Sequence, residues 1–163
     1  MTTSTQPPIV LIIEDDPVFR RVLSFTVSKT GLAVEAVADG QTGLDRLIQG
    51  DISFLVTDYQ VPRLEGIELL RAIRKMPELC DLPAVLCTAK GFEIDSEQLR
   101  KEFDLVAVLH KPFSPRQLSE LIVRSLESRG VTIQPSSSNS PTSMTFPSSY
   151  FGSTPPPSGS IHG

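Results

Sequence analysis

A chain of 163 residues has room for one hydrophobic core, or for one core with an appendage, because single cores sit mostly in chains of about 100–200 residues. With 15 Lys and Arg against 19 Asp and Glu, the net charge of −4 argues against partners held by bulk attraction, nucleic acid and anionic membrane among them. No apolar run nears the ~18–20 residues of a membrane span, and the N-terminus lacks the basic-then-apolar layout of a secretory signal, so a cytoplasmic protein is expected.

Residues 1–8 are expected to form a flexible N-terminus. Ile9–Ile13 is a run of branched apolar residues and the first predicted strand. It ends in Glu14-Asp15-Asp16-Pro17, where Pro17 suits the first position of a helix and makes Asp16 the predicted N-cap. Phe19, Val22, Leu23 and Thr26 follow at helical spacing up to Gly31. Ala33–Val37 is the second strand, and Leu44, Leu47 and Ile48 mark the second helix before Gly50. Ile52–Thr57 is the third strand, with Asp58 at its end. Gly66 introduces the third helix through Ile67, Leu70 and Ile73. Pro83–Thr88 is the fourth strand. From Ser96 to Phe103 only Leu99 and Phe103 form an apolar pair, so this helix is weakly patterned. Leu105–Leu109 is the fifth strand, followed by Lys111-Pro112. Ser114-Pro115 then provides an N-cap and first position for a last helix carrying Leu118, Leu121, Ile122 and Leu126.

Regular alternation of strand and helix predicts an α/β fold with a parallel sheet covered on both faces, the first and third strands being apolar enough to be central. The folding unit is expected to span 9–130. All charged residues lie at or before Arg129, and Val131–Gly163 holds 10 Ser, 6 Pro, 4 Thr and 3 Gly. Such a segment has too little apolar surface to offset the entropy of ordering it, so 131–163 reads as a Ser/Pro-rich disordered tail. Within it, Pro155-Pro156-Pro157 favours a short polyproline stretch. Met144–Phe151, with Phe146, Tyr150 and Phe151, is aromatic enough for a docking peptide, the alternative being a tail with no specific partner. No second globular region follows, so output is expected to pass through another protein. Cys80 and Cys87 have no His at ligand spacing and read as reduced thiols, with Cys87 packed in a strand.

In sheets of this kind ligands gather beyond the carboxyl ends of the strands. There the sequence places Glu14 and Asp15, which capping does not explain, together with Asp58, Thr88 and Lys111. Two carboxylates about 4 Å apart repel by roughly 4 kcal/mol at an effective dielectric of 20, so the cluster needs protons or a cation. An all-oxygen set with open water positions selects a hard divalent ion, Mg²⁺ rather than a Ca²⁺ cage. With an ammonium and a hydroxyl beside them, these groups suit phosphoryl transfer to a carboxylate. Singly, Asp58 could cap a turn, Thr88 could be an ordinary strand residue and Lys111 a solvated loop lysine. The combination favours function.

At these residues the segment from about Ile9 to Arg129 resembles the receiver domain of two-component response regulators. The resemblance is carried by Leu11-Ile12-Ile13-Glu14-Asp15-Asp16, Leu55-Val56-Thr57-Asp58-Tyr59-Gln60-Val61-Pro62 with Gly66, Thr88-Ala89 and Lys111-Pro112-Phe113, at intervals of 43, 30 and 23 residues from Asp15 through Asp58 and Thr88 to Lys111. It implies a flavodoxin-like five-stranded sheet of order 2-1-3-4-5. It further implies Asp58 as phosphoryl acceptor, Mg²⁺ ligation by Asp15, Asp58 and the backbone carbonyl of Gln60, and Glu14 holding a metal-bound water. Thr88 and Lys111 would contact phosphoryl oxygens, and Lys111-Pro112 would be cis. The implied donor is a sensor histidine kinase or histidine phosphotransfer protein, the output a downstream protein target, and the assembly a monomer or weak dimer. The side chain of Gln60, two residues past the acceptor, either tunes phosphoryl lifetime or is a plain turn residue; His110 is given no role.

The chain departs from the family pattern at Val108, where many receivers carry Tyr or Phe. A valine has no ring to swing between pockets. Either backbone shifts of the loop after Thr88 carry the switch, or the surface around the fourth helix, fifth strand and fifth helix changes little; Val108 also motivates a rival reading, a receiver-like scaffold that binds partners regardless of phosphate. A phosphohydrolase of the haloacid dehalogenase type fits less well, since Glu14-Asp15-Asp16-Pro17 is not that family's Asp-x-Asp.

Overall fold

The computed structural model describes residues 6–91 and 94–135. Five strands and five helices alternate: β1 (Ile9–Ile13), α1 (Pro17–Ser28), β2 (Ala33–Val37), α2 (Gly40–Ile48), β3 (Ile52–Asp58), α3 (Gly66–Ile73), β4 (Ala84–Thr88), α4 (Ser96–Glu102), β5 (Ala107–His110) and α5 (Pro115–Ser128). The strands form one parallel sheet in the order β2-β1-β3-β4-β5. Order and element sequence agree with the expectation, and β1 and β3 are interior.

Period-2 alternation divides the buried residues into two layers. Val10 and Ile12, Phe54 and Val56, and Val85 and Cys87 face Leu23 and Val27 of α1 and Leu118, Ile122 and Leu126 of α5. Leu11 and Ile13, Leu55, and Ala84 and Leu86 face Leu47 of α2, Leu69, Leu70 and Ile73 of α3, and Phe103. Strands buried on both faces read as continuous apolar runs, which is why β1, β3 and β4 are the most apolar.

The local signals hold with a few differences. Asp16 caps α1, its Oδ1 accepting from the backbone N–H groups of Val18 (2.9 Å) and Phe19 (3.1 Å). Ser114 has cap backbone geometry, but its side chain makes no capping hydrogen bond. β4 starts at Ala84 rather than Pro83, because Pro83 has no N–H and joins the ladder only as acceptor for Leu55 N. β5 starts at Ala107 rather than Leu105, because Leu105 N returns to Arg100 O to close α4 while Asp104 sits in the left-handed region at φ 51°. α4 ends at Glu102 with Phe103 as its C-cap. The expectations for residues 1–5 and for most of the tail, Met144–Phe151 and Pro155–Pro157 included, lie outside the described residues.

Two glycines fix the turn after β3. A Cβ on Gly66 would lie 2.3 Å from the carbonyl oxygen of Asp58, and one on Gly40 would lie 1.8 Å from that of Leu64. The same turn is tied by Gly66 N to Tyr59 O (3.0 Å) and Gly40 N to Pro62 O (3.1 Å). Overpacking against backbone costs about 1–3 kcal/mol, so Gly66→Ala and Gly40→Ala should each lower unfolding free energy by about that amount in urea titrations. A loss under about 0.5 kcal/mol would mean the turn gives way easily.

Candidate functional site

The site lies at the carboxyl edge of the sheet, where β1, β3 and β4 end and β5 leads into the Lys111-Pro112 bond, which is cis as expected. Each side chain is placed by the ladder beneath it. Ladder bonding continues past Asp58, since Tyr59 N donates to Cys87 O (2.7 Å), and past His110, since Lys111 N donates to Thr88 O (2.8 Å). Asp58 is therefore the last residue of β3, one residue further than the sequence suggested.

Glu14 and Asp58 are buried and Asp15 is exposed, and each places a carboxylate oxygen within 4.8 Å of the other two. Lys111 Nζ bridges the two buried acids, donating to Asp58 Oδ2 at 2.8 Å and Glu14 Oε2 at 2.9 Å. The other oxygens accept from backbone: Asp58 Oδ1 from Tyr59 N (3.0 Å), Glu14 Oε1 from Asp16 N (3.1 Å). Burial is the main cause raising the Glu14 carboxyl above its ordinary range, opposed by its hydrogen bond to Lys111 and reinforced by the Asp58 charge. Burial alone would lower the Lys111 ammonium, but its hydrogen bonds to Asp58 and Glu14 outweigh that and leave it raised. The site thus contains a fixed cation that partly neutralises two carboxylates, with Asp15 left open to solvent.

Three close carboxylates with no Cys or His among the cluster match the donor set of a hard dication. Glu14, Asp15 and Asp58 are the residues here that fit such an ion. Thr88 is fully buried one strand away, where its Oγ1 accepts from Lys90 N (3.0 Å); no described hydrogen bond joins it to Asp58. Gln60 lies on the exposed turn after β3, and no described hydrogen bond connects it to the carboxylates. His110 is exposed and meets Ser96 Oγ at the start of α4 (2.7 Å).

Several supporting residues were not singled out from sequence. Arg20 reaches back from α1 to the carbonyl of Glu14 (2.8 Å) and more loosely to that of Asp15 (3.4 Å), bracing the acidic loop. The Phe19 ring lies under Lys111 Nζ at 5.1 Å and meets Phe113 edge-on, with centroids 5.4 Å apart. Tyr59 carries Lys90 Nζ over its ring at 4.7 Å. The helical spacing included Phe19, but nothing local marks a ring as the floor of a site assembled across ninety residues. Cys87 is buried on the α1/α5 side, where burial pushes its thiol far up. Among the described residues no helix is long and apolar enough to cross a membrane.

Comparison with known proteins gives a consistent result. The family model described as response regulator receiver domain matches residues 10–123. "Chemotaxis protein CheY" of Pseudomonas aeruginosa is 34% identical over 119 residues, covering 72% of this chain and 95% of that protein. "Chemotaxis protein CheY-3" of Vibrio cholerae is 32% identical over 121 residues, covering 72% and 91%. Among solved structures, a CheY-like response regulator receiver domain protein from Methanospirillum hungatei JF-1 superposes with a TM-score of 0.68 over 77% of this chain and 98% of that one, at 23% identity, a likeness of fold.

Removing the shared cation should expose the repulsion it offsets. Lys111→Met is expected to cost about 2 kcal/mol of stability in the presence of chelator, less than the ~3–5 kcal/mol of a fully buried pair because the lysine is partly exposed. Millimolar Mg²⁺ should restore part of the loss by binding only the folded site. Urea unfolding with and without Mg²⁺ reads both, and a variant as stable as wild type in chelator would show that the ammonium is not holding the carboxylates together.

Proposed function

The chain belongs to the response regulator receiver domains, and from that premise we propose that it is a phosphoryl-accepting intermediate of a two-component system with Asp58 as the acceptor. The observation that carries the reading is the Lys111 ammonium held 2.8 Å from Asp58 and 2.9 Å from Glu14 at the carboxyl edge of the sheet. The unit concerned is residues 9–130.

In the proposed reaction an Asp58 carboxylate oxygen forms a bond to phosphorus as the phosphorus–nitrogen bond of a donor phosphohistidine breaks. The imidazole leaves with the electron pair and takes up a proton. Because the transferring group is already activated by its donor, the protein's task is positioning and charge neutralisation. Lys111 is poised to follow the developing charge from the carboxylate onto a phosphoryl oxygen. Asp15, Asp58 and the Gln60 carbonyl, with Glu14 beside them, would hold Mg²⁺, which when bound offsets the negative charge of the phosphoryl oxygens. The Thr88 hydroxyl accepts from Lys90 N and has its own hydrogen left to donate. Turning it toward a phosphoryl group would release Lys90 N and with it the loop after β4, a backbone route to output. The Gln60 side chain, exposed next to the acceptor, is placed to influence attacking water.

Receiver domains are generally not enzymes in the usual sense, and this chain is proposed to catalyse only its own phosphorylation and dephosphorylation. The donor would be a histidine kinase or histidine phosphotransfer protein, and the output contact another protein. With Mg²⁺ and a small phosphodonor, intact-mass measurement should find one added phosphoryl group on the wild type and none on Asp58→Ala. An unmodified wild type overturns the reading.

A second reading, a scaffold that binds partners irrespective of phosphate, is favoured by Val108, which is half-buried against the α2/α3 layer with no ring to reorient. Titration calorimetry of a bound partner discriminates the two: equal affinity with and without a phosphoryl mimic on Asp58 supports the scaffold, whereas at least a fivefold difference supports the switch.

A further inference from the structure

Of the three charged side chains that meet at Asp58, Lys111 has the most freedom to leave. Its ammonium rides on a flexible four-carbon stem and the side chain is 23% exposed, whereas Glu14 and Asp58 are almost fully enclosed. Two hydrogen bonds hold Nζ between the acids. The one to Asp58 ends on the carboxylate whose charge moves away when a phosphoryl group arrives, so it cannot hold the ammonium steady throughout a transfer.

A third contact does not change with that charge. Nζ stands 5.1 Å from the centroid of the Phe19 ring, within the range in which the negative face of an aromatic ring attracts a cation. The ring is itself held in register with the acids. Its backbone N–H donates to Oδ1 of the N-cap Asp16 (3.1 Å), and the next residue, Arg20, donates to the Glu14 carbonyl (2.8 Å), so the start of α1 is tied to the loop that carries Glu14 and Asp15. Phe113, two residues beyond Lys111, meets the ring edge-on with centroids 5.4 Å apart and planes at 68°. Both rings are partly buried against the α1/α5 layer. The turn after β5 therefore touches Phe19 twice, once through the ammonium and once through the second ring. A residue that only filled this gap could be aliphatic. An aromatic face beneath a cation adds an attraction that leucine lacks.

We propose that Phe19 is a positioning residue of the site, its ring face holding the Lys111 ammonium beside Asp58 while phosphoryl charge replaces carboxylate charge around it. The inference deepens the reading of Asp58 as phosphoryl acceptor and rests on it. A misplacement of about 1 Å can cost on the order of a hundredfold in rate, so a ring that touches no substrate still governs the reaction through the cation it holds.

The test compares the full chain with its Phe19→Leu and Phe19→Tyr variants, the second of which keeps a ring. The first readout needs no phosphate: ¹⁵N NMR of the Lys111 ammonium at fixed pH in chelator, where exchange of its protons with water measures how often the side chain swings out. Phe19→Leu should speed that exchange by about threefold or more, and Phe19→Tyr should leave it within about twofold of wild type. The second readout is the rate at which acetyl phosphate with Mg²⁺ adds a phosphoryl group, an Asp58 oxygen bonding to phosphorus as acetate leaves with the electron pair of the broken phosphorus–oxygen bond. That rate should fall about three- to tenfold in Phe19→Leu and recover in Phe19→Tyr. Should the amide spectrum show Phe19→Leu to be unfolded, Phe19→Met takes its place with the same expectations. An aliphatic variant that matches wild type in either readout, or a Phe19→Tyr that behaves like the aliphatic one, makes the ring a space-filler and overturns the proposal. A wild type that takes up no phosphoryl group overturns the Asp58 reading, and the exchange readout distinguishes that failure from a ring that does not hold Lys111.

Discussion

Three carboxylates cannot share one strand edge unless positive charge sits among them, and the rest of the molecule is arranged around the cation that does so. Lys111 arrives from the far side of the chain, almost a hundred residues after Glu14, and donates to both buried acids. The fold's part is to make that meeting unavoidable. β1, β3 and β4 are buried on both faces, and a one-residue slip would swing every side chain of the strand, the terminal acid included, to the opposite face; in the observed register Glu14 and Asp58 are held at one edge. The backbone bond from Lys111 to Thr88 sets the level at which the ammonium leaves β5. Asp15, left in solvent, supplies the part of the cluster with room for an exchangeable cation.

Much of this was legible in the sequence because it depends on local pattern. The alternation of apolar runs with helical spacing gives the fold class, Pro17 after Asp16 gives the cap, and the acids stand at strand ends where no core pattern accounts for them. What was not legible depends on contacts between distant segments. Arg20 looks like any exposed helical arginine until the loop it braces is seen above it. Phe19 and Phe113 form one wall from residues nearly a hundred apart. Gly40 and Gly66 read as helix punctuation, whereas their reason is two carbonyls that approach too closely for any side chain. Strand ends shifted by a residue or two for reasons of hydrogen-bond accounting: a missing N–H at Pro83, and a Leu105 N–H already committed to α4.

The face away from the carboxylates is less conventional. Val108 offers a stiff aliphatic contact where a ring would give a movable one, and a polar contact joins α4 to β5, from Ser96 to the exposed His110. Such a bond is readily exchanged for water at little cost. The α1/α5 layer on the other side of the sheet is packed by aliphatic and aromatic contacts instead.

The ladder that carries Asp58, Thr88 and Lys111 also acts as a ruler. The carboxylate, the hydroxyl and the ammonium stand at the ends of three neighbouring strands, and the lateral repeat of a sheet is about 4.8 Å whatever the sequence. The spacing of the three groups is thus set in steps by backbone hydrogen bonding, with side-chain length and rotamer as the fine adjustment. One added methylene moves a carboxylate by about 1.3 Å, roughly a quarter of that repeat. A site graduated this coarsely tolerates wide variation in the surrounding chain and very little in the three residues that mark its divisions.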